Sequence, residues 1–382
     1  MTEAALRREV LRKRPDYLIP ALTGVLLLIG LQAVYSATFA LGVRQYGSVG
    51  YFVTRQSMWA GVGLIMFIVG SRVNYRRWIA WSPWIMLGCL GALAAVLVPS
   101  LGLTRYGATR WLQIGPFGVQ PSEFIKLSLI LYVSAWLATR GERLRSWSSG
   151  FLPFVIIVGL VGGLIMLQPD LGTTLIILFV TAILFFVGGA DLRQFLVLAV
   201  AGLAAMAMLI AGAGYRSDRW EAFVNPWDDP AGKGFHIIQL LIALGSGGVT
   251  GLGIGASRQK FFYVPGSHTD GIFAIIGEEV GFVGAILVIA VFAALVWRGF
   301  KVASAAPDQY GGLVAVGITC WLGFQALINI GGITRSIPLT GIPLPFISYG
   351  GSSLAVSMAA IGILFNISKY GLPSRQVAPA PA

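Results

Sequence analysis

Residues 214–273 read GYRSDRWEAFVNPWDDPAGKGFHIIQLLIALGSGGVTGLGIGASRQKFFYVPGSHTDGIF. The stretch is rich in Arg, Lys, Asp, Gly and Trp, and long apolar runs flank it on both sides. From 214 to 270 it is far longer than an ordinary connection between packed helices, so it is a structured excursion with work of its own. It closes on a carboxylate, Asp270, immediately ahead of another apolar run. A reactive acid at a membrane surface, facing basic residues of its own loop, is where chemistry is expected.

Outside this excursion the chain is suited to lipid. Its 382 residues are 56% hydrophobic and 11% charged, and the mean hydropathy is +0.80. An ordinary soluble globule carries charge on roughly a quarter of its residues. Runs of about 17 to 24 apolar residues, each long enough to cross a bilayer, fall near 17–39, 55–71, 82–99, 122–139, 152–168, 172–189, 195–213, 271–297, 311–330 and 353–369. The expected fold is an all-α polytopic membrane protein of about ten transmembrane helices, with one long extracytoplasmic loop, 214–270, between helices 7 and 8. A single multi-pass domain over 17–370 follows a basic cytoplasmic segment, 1–16, and precedes a disordered Pro/Ala tail, 371–382. No small-residue cleavage site follows the first apolar run, so an uncleaved first helix is expected.

The net charge of +12 invites a nucleic-acid reading, but the basic residues sit in short clusters between apolar runs. With the N-terminus inside, Arg72, Arg76, Arg77, Arg140, Arg143, Arg145, Arg193, Arg298, Lys301 and Lys369 all fall on the inner side, as the positive-inside rule requires. Both termini are then cytoplasmic and the long loop faces outward, where ATP is scarce and an activated, membrane-held substrate is needed. No nucleic-acid partner is expected. Cys89 and Cys320 both lie in apolar runs and form neither a metal pattern nor a disulfide framework.

Asp270 admits two readings. Ser267, Thr269 or Asp270 would cap the next helix, or Asp270, beside His268, is a partly desolvated general base. Glu278 and Glu279 follow on the same helix, and acids in an apolar helix demand a polar cavity or a basic partner. In GATRWLQIGPFGVQPSEFIK, residues 107–126, Ser122 suits a helix cap. Glu123 and Lys126 share one helix face, as a local ion pair or, with Arg110, as a phosphate site. Asp170 in QPDLGTTL is a turn former. The glycines of WDDPAGKGFH and GLGIGAS match neither phosphate-loop pattern, and no serine-hydrolase or zinc-hydrolase signature is present. The three prolines of NIGGITRSIPLTGIPLPFISYGGSS, residues 329–353, imply irregular backbone buried in protein or lining a wet cavity.

Taken in order, GATRWL, QPSEFIK, QPDLGTTL, NPWDDPAGKGFH, GSGGVTGLGIGASRQKFFYVPGSHTD, IGEEVG and PLPFISYGGSS resemble the SEDS family, the FtsW, RodA and SpoVE group, over nearly the whole membrane region. The resemblance is closer to FtsW and SpoVE than to RodA. It implies a peptidoglycan glycosyltransferase that polymerises lipid II into glycan strands at the outer face of the cytoplasmic membrane, in division or shape maintenance, releasing undecaprenyl diphosphate. A class B penicillin-binding protein and other division or elongation proteins are the implied partners. The family's loop aspartate falls on Asp270, and its functional positions in the fourth-helix motif fall on Arg110, Glu123 and Lys126. Substrate and diphosphate contacts are expected from these and from Gln120, Ser122, Arg219, Lys233, Lys260, His268 and Thr269, supported by Asp170, Glu278 and Glu279. A magnesium ion on the diphosphate is left open. Gly266 and Gly271 depart from the family, which carries Glu and Phe there. A lipid II flippase is the alternative, though transporters place charges near the midplane at repeat interfaces, whereas here they gather at helix ends and in one loop.

Overall fold

A computed structural model describes residues 11–12, 14–105, 108–115, 117–212 and 214–371. The expectations for 1–10 and for the tail from 372 lie outside the described residues. Among the described residues ten helices form where the apolar runs lie: α1 (Leu18–Tyr46), α2 (Tyr51–Arg72), α3 (Arg77–Val96), α4 (Pro121–Ala138), α5 (Leu152–Met166), α6 (Leu171–Val187), α7 (Leu192–Ala211), α10 (Ile272–Ser304), α11 (Gln309–Ile333) and α12 (Gly351–Ser368). Among the described residues, seven helical spans are long and apolar enough to cross a membrane. The protein is a membrane protein.

Local sequence sets the helix limits. Gly47 ends α1 in the left-handed region at φ 65°, its N–H returning to Val43 O, a conformation glycine adopts without penalty. Pro121 opens α4 at a position where a missing N–H costs nothing. Asp191 and Gln194 form a reciprocal capping box on α7. Asp308 caps α11 through Gly311 N at 2.8 Å.

Two layers result. α11 and α12 are buried almost all round, with Trp321, Ile318 and Ile361 fully enclosed. Around them Leu28, Ile65, Trp84, Leu87, Leu160, Leu203 and Leu287 are each more than half exposed, which is tolerable only against lipid. The inner helices approach closely through small residues: a side chain on Gly70 would meet Ala359 O at 3.0 Å, and one on Gly362 would strike the backbone of Phe67. Without a hydrophobic drive between helices in lipid, such backbone contact is what holds α2 to α12.

The excursion differs from an open loop. It contains α8 (Gly214–Val224) and α9 (Phe235–Ser246), and the inward face of α9 is buried at Ile237, Ile238, Leu240 and Ala243. Its glycine-rich part is a packing device. α10 breaks at Gly281 (φ 68°, ψ −169°), and the segment 247–253 crosses the break. There Gly248 O and Val249 O accept from Phe282 N (2.9 Å) and Val283 N (3.1 Å), while Leu252 N and Gly253 N donate to Glu278 O and Glu279 O, both at 3.0 Å. The amides orphaned by the interruption are thereby satisfied. Side chains on Gly247 and Gly251 would run into the α10 backbone, so glycine is required for close approach rather than for phosphate. A further departure from the all-α expectation is a three-stranded antiparallel sheet, β2 (Gly102–Arg105), β3 (Ala108–Ile114) and β4 (Phe117–Val119), together with a separate two-residue pair, β1 (Leu11–Arg12) and β5 (Tyr370–Gly371).

The ends of the bundle are chemically distinct. At one, Asp16 pairs with Arg298, Arg76 pairs with Asp308 at 2.9 Å, and the described chain ends meet in β1–β5. At the other, the starts of α4, α6, α10 and α12 gather around residues 334–350, the irregular segment between α11 and α12. Gln120 N meets Ser352 Oγ at 3.1 Å, and a side chain on Gly172 would press into Ile342.

Candidate active site

Asp270 stands at this second end and does not cap. The N-cap of α10 is Gly271, without any side-chain bond. The Asp270 carboxylate is partly exposed, and among the described residues it accepts one hydrogen bond, from Thr269 Oγ1 at 3.0 Å. Its main chain is held more firmly. Asn329 Nδ2, from α11, donates to Asp270 O at 2.9 Å and to Ile342 O at 2.8 Å. Ser348 Oγ donates to Thr269 O at 2.6 Å, and Tyr349 N to His268 O at 2.8 Å. The loop end is therefore fastened to the irregular segment at three successive residues, leaving the carboxylate free.

Both histidines of the chain lie here. His268 packs against Phe52 and Tyr349, with ring centroids 5.4 and 5.7 Å away. Burial pushes its pKa below the ordinary value, against an opposing pull from Asp270, so the ring is neutral near pH 7. His236, in the first turn of α9, is held down chiefly by burial too. Asp270 raises it, Arg219 lowers it, and a hydrogen bond to the Pro265 carbonyl raises it. Its Nε2 is buried with no hydrogen-bond partner among the described residues.

Several residues expected at the diphosphate have protein partners in this structure. Lys260 is 6% exposed and donates to Glu279 Oε1 (3.1 Å), Ser36 Oγ (3.0 Å) and Gly255 O (2.6 Å), while also lining a small cavity with Gly266, Ser267 and His268. Glu278 accepts from Ser257 Oγ at 2.5 Å and Arg258 N at 2.9 Å. The adjacent acids thus pin the loop to α10 and α1. Lys233 is occupied by Asp218 (2.8 Å) and Glu221 (2.7 Å), whose hydrogen bonds raise its pKa. Arg110 ties β3 to the α5–α6 turn, donating to Gln168 O at 2.8 Å and to Pro169 O. Asp170 caps α6 through Thr173 N at 3.1 Å. Ser122 is not the cap of α4, which starts after Gln120, and its buried hydroxyl has no hydrogen-bond partner among the described residues.

Glu123 and Lys126 form the local pair at 2.9 Å, at 3% and 2% exposure. Lys126 Nζ also donates to Gln325 Oε1 at 2.9 Å, and Gln325 Nε2 donates to Pro343 O at 2.9 Å. The fourth-helix charges therefore reach the irregular segment through Gln325. Arg219 is the exposed cation that does lie near Asp270: its Nη1 donates to Thr340 O at 3.2 Å and Leu339 O at 3.4 Å. Asn329, Gln325, Ser348 and His236 went unread in the sequence. Gln325 and Asn329 carried a signal, being polar residues four apart on one face of an apolar helix.

Among the described residues no group of three or more His, Cys, Asp or Glu side chains gathers. A magnesium ion here would be held mainly by substrate oxygens and water, a common arrangement for that ion.

The chain is similar to known proteins over almost its full length. The family model described as Cell cycle protein, FTSW_RODA_SPOVE, matches residues 16–371. Stage V sporulation protein E of Bacillus subtilis (strain 168) is 44% identical over 356 residues, 93% of this chain and 97% of that protein. A probable peptidoglycan glycosyltransferase FtsW of Geobacter metallireducens is 39% identical over 93% of this chain and 95% of its own length. A chain of a peptidoglycan synthase complex superposes with a TM-score of 0.75 at 29% identity, covering 93% of this chain and 97% of that one. The rod shape determining protein RodA of Thermus thermophilus gives 0.69 at 29% identity, covering 93% and 96%. The chain belongs to the FtsW/RodA/SpoVE family of cell cycle proteins.

Proposed function

We propose that this membrane protein is a peptidoglycan glycosyltransferase that polymerises lipid II, with Asp270 as general base. The observation that carries the reading is the Asp270 carboxylate, spared from capping and held at the backbone on either side by buried donors. In the reaction, an acceptor sugar hydroxyl passes its proton to Asp270 while its oxygen bonds to the anomeric carbon of the donor. The carbon–oxygen bond to the lipid diphosphate breaks, and that electron pair leaves with the diphosphate. Arg219 is placed to stabilise the departing charge. Holding two lipid-anchored reactants in one plane supplies the larger part of the barrier reduction, ~7–11 kcal/mol in well-oriented cases. The basic residues of the short segments, Arg76, Arg77, Arg298 and Lys301 among them, support a cytoplasmic placement for the terminus end and an outward placement for Asp270 in the inner membrane. The likeness to a peptidoglycan synthase complex supports a transpeptidase partner.

The test is purified protein with labelled lipid II, with and without a cognate class B penicillin-binding protein and magnesium, followed by sizing of products. Glycan polymer is expected; no polymer in any combination sinks the reading.

Gly266 bears on the same assay. It sits at φ 63° and a Cβ there would collide with Asp270 Oδ1 and stand 3.0 Å from Thr269 Oγ1. Gly266→Ala must displace the carboxylate, and an error of about 1 Å costs roughly 10²-fold. The expected result is that loss in polymerisation rate at unchanged lipid II binding; wild-type rate would show that the carboxylate position is not critical.

A further inference from the structure

Gly341 lies midway along the irregular segment, with φ 76°. A Cβ built on it would have two neighbours within 4 Å: Asp270 Oδ2 at 3.8 Å and Arg219 Nη2 at 4.0 Å. Other glycines of this fold are crowded by backbone, as at Gly247, Gly251 and Gly281. Here the space is open, and an acid and a cation from separate elements bound it. Among the described residues these two charges form no ion pair with each other, although both approach the same point. The backbone beneath is clamped from two directions. Arg219 Nη1 donates to the carbonyls of Leu339 and Thr340, and Asn329 donates to that of Ile342. A mere spacer between helices needs no such restraint.

We infer that Gly341 is a specificity-determining residue: its bare backbone is the floor of a slot between Asp270 and Arg219 that admits the reacting edge of a lipid-linked sugar diphosphate pair. The acceptor hydroxyl enters on the Asp270 side and the anionic oxygens of the leaving diphosphate lie on the Arg219 side. This rests on the reading of Asp270 as base. The hydroxyl proton goes to the carboxylate, the new glycosidic bond forms, and the diphosphate takes the electron pair of the bond that breaks. A hydroxyl must come within about 2.5–3.0 Å of the carboxylate oxygen to be deprotonated. A methyl group already in van der Waals contact with both charges occupies the path to that position.

The experiment compares Gly341→Ala, Gly341→Ser and Gly341→Val in the full-length purified protein, with lipid II polymerisation and thermal unfolding as readouts. Gly47→Ala is the control for backbone cost, because Gly47 has φ 65° and nothing within 4 Å of its Cβ position. The expected result is a loss in kcat/KM of roughly 10²-fold for alanine, deepening with side-chain volume, while Gly47→Ala polymerises like wild type at a similar unfolding shift. Gly341→Asn, whose side chain tolerates the left-handed region, supplies a folded variant if alanine unfolds the protein; it too should be inactive. A Gly341 series as active as Gly47→Ala overturns the slot. If Asp270→Asn stays active while the Gly341 series still declines with volume, the slot stands and the base assignment alone fails. If Asp270→Asn is inactive and the Gly341 series is flat, the slot alone fails.

Discussion

Asp270→Asn is expected to reduce lipid II polymerisation by the purified protein by at least 10²-fold, and by up to about 10⁴-fold, the range over which a positioned base contributes. The substitution keeps the shape of the side chain and retains an oxygen to accept from Thr269 Oγ1, the hydrogen bond the carboxylate makes. The contacts that hold the loop end use the main chain of residues 268–270, which the substitution leaves in place. Stability should therefore move by no more than about 0.5 kcal/mol, as for a partly exposed side chain whose one hydrogen bond is kept. Unfolding in detergent and turnover, measured on one preparation, separate the two quantities. A variant that is as stable as wild type and polymerises at near wild-type rate removes Asp270 from the chemistry.

Much of this site was legible in the sequence, and the part that was not follows from where partners lie. Ten apolar runs located ten helices because lipid demands an uninterrupted stretch of about 20 residues for each crossing. Asp270 stood out because an acid before an apolar run has to cap, pair or react. Whether it caps needed coordinates: Gly271 holds the N-cap position, a matter of one residue of register. For Lys260 the sequence showed a loop cation and not its buried protein partners. Its partners Ser36 and Glu279 lie 224 and 19 positions away, and no local pattern marks a lysine for burial. The glycines at 247–253 carried a weak phosphate-loop signal, yet they fit against the break in α10, an encounter between separate elements. Gln325 and Asn329 were readable in principle from their i, i+4 spacing. Their targets, the carbonyls of Pro343, Ile342 and Asp270, were not, because irregular backbone has no periodicity to read.

The buried pair of Lys260 and Glu279 has the second large consequence. Lys260→Met removes the cation from a site where Glu279 is 4% exposed, leaving Ser36 Oγ, at 2.5 Å, as that carboxylate's remaining side-chain donor. Breaking one half of a buried ion pair costs about 3–5 kcal/mol, since the other charge stays buried uncompensated. Methionine fills the volume of the lysine stem, so lost packing contributes little. The pair joins α1, through Ser36, to the loop ten residues before Asp270 and to the α10 turn ahead of Gly281. Unfolding temperature and polymerisation rate should therefore fall together, unlike in Asp270→Asn. Adding Glu279→Gln to Lys260→Met replaces the stranded charge by a neutral amide that still accepts from Ser36, and should restore most of the stability and part of the rate. A lysine acting on the leaving diphosphate predicts the opposite pattern: unchanged stability, lost turnover, and no recovery in the double variant. Thermal unfolding of the two single variants and the double, analysed as a mutant cycle, decides between them through the sign and size of the coupling. A coupling near zero would return Lys260 to the substrate.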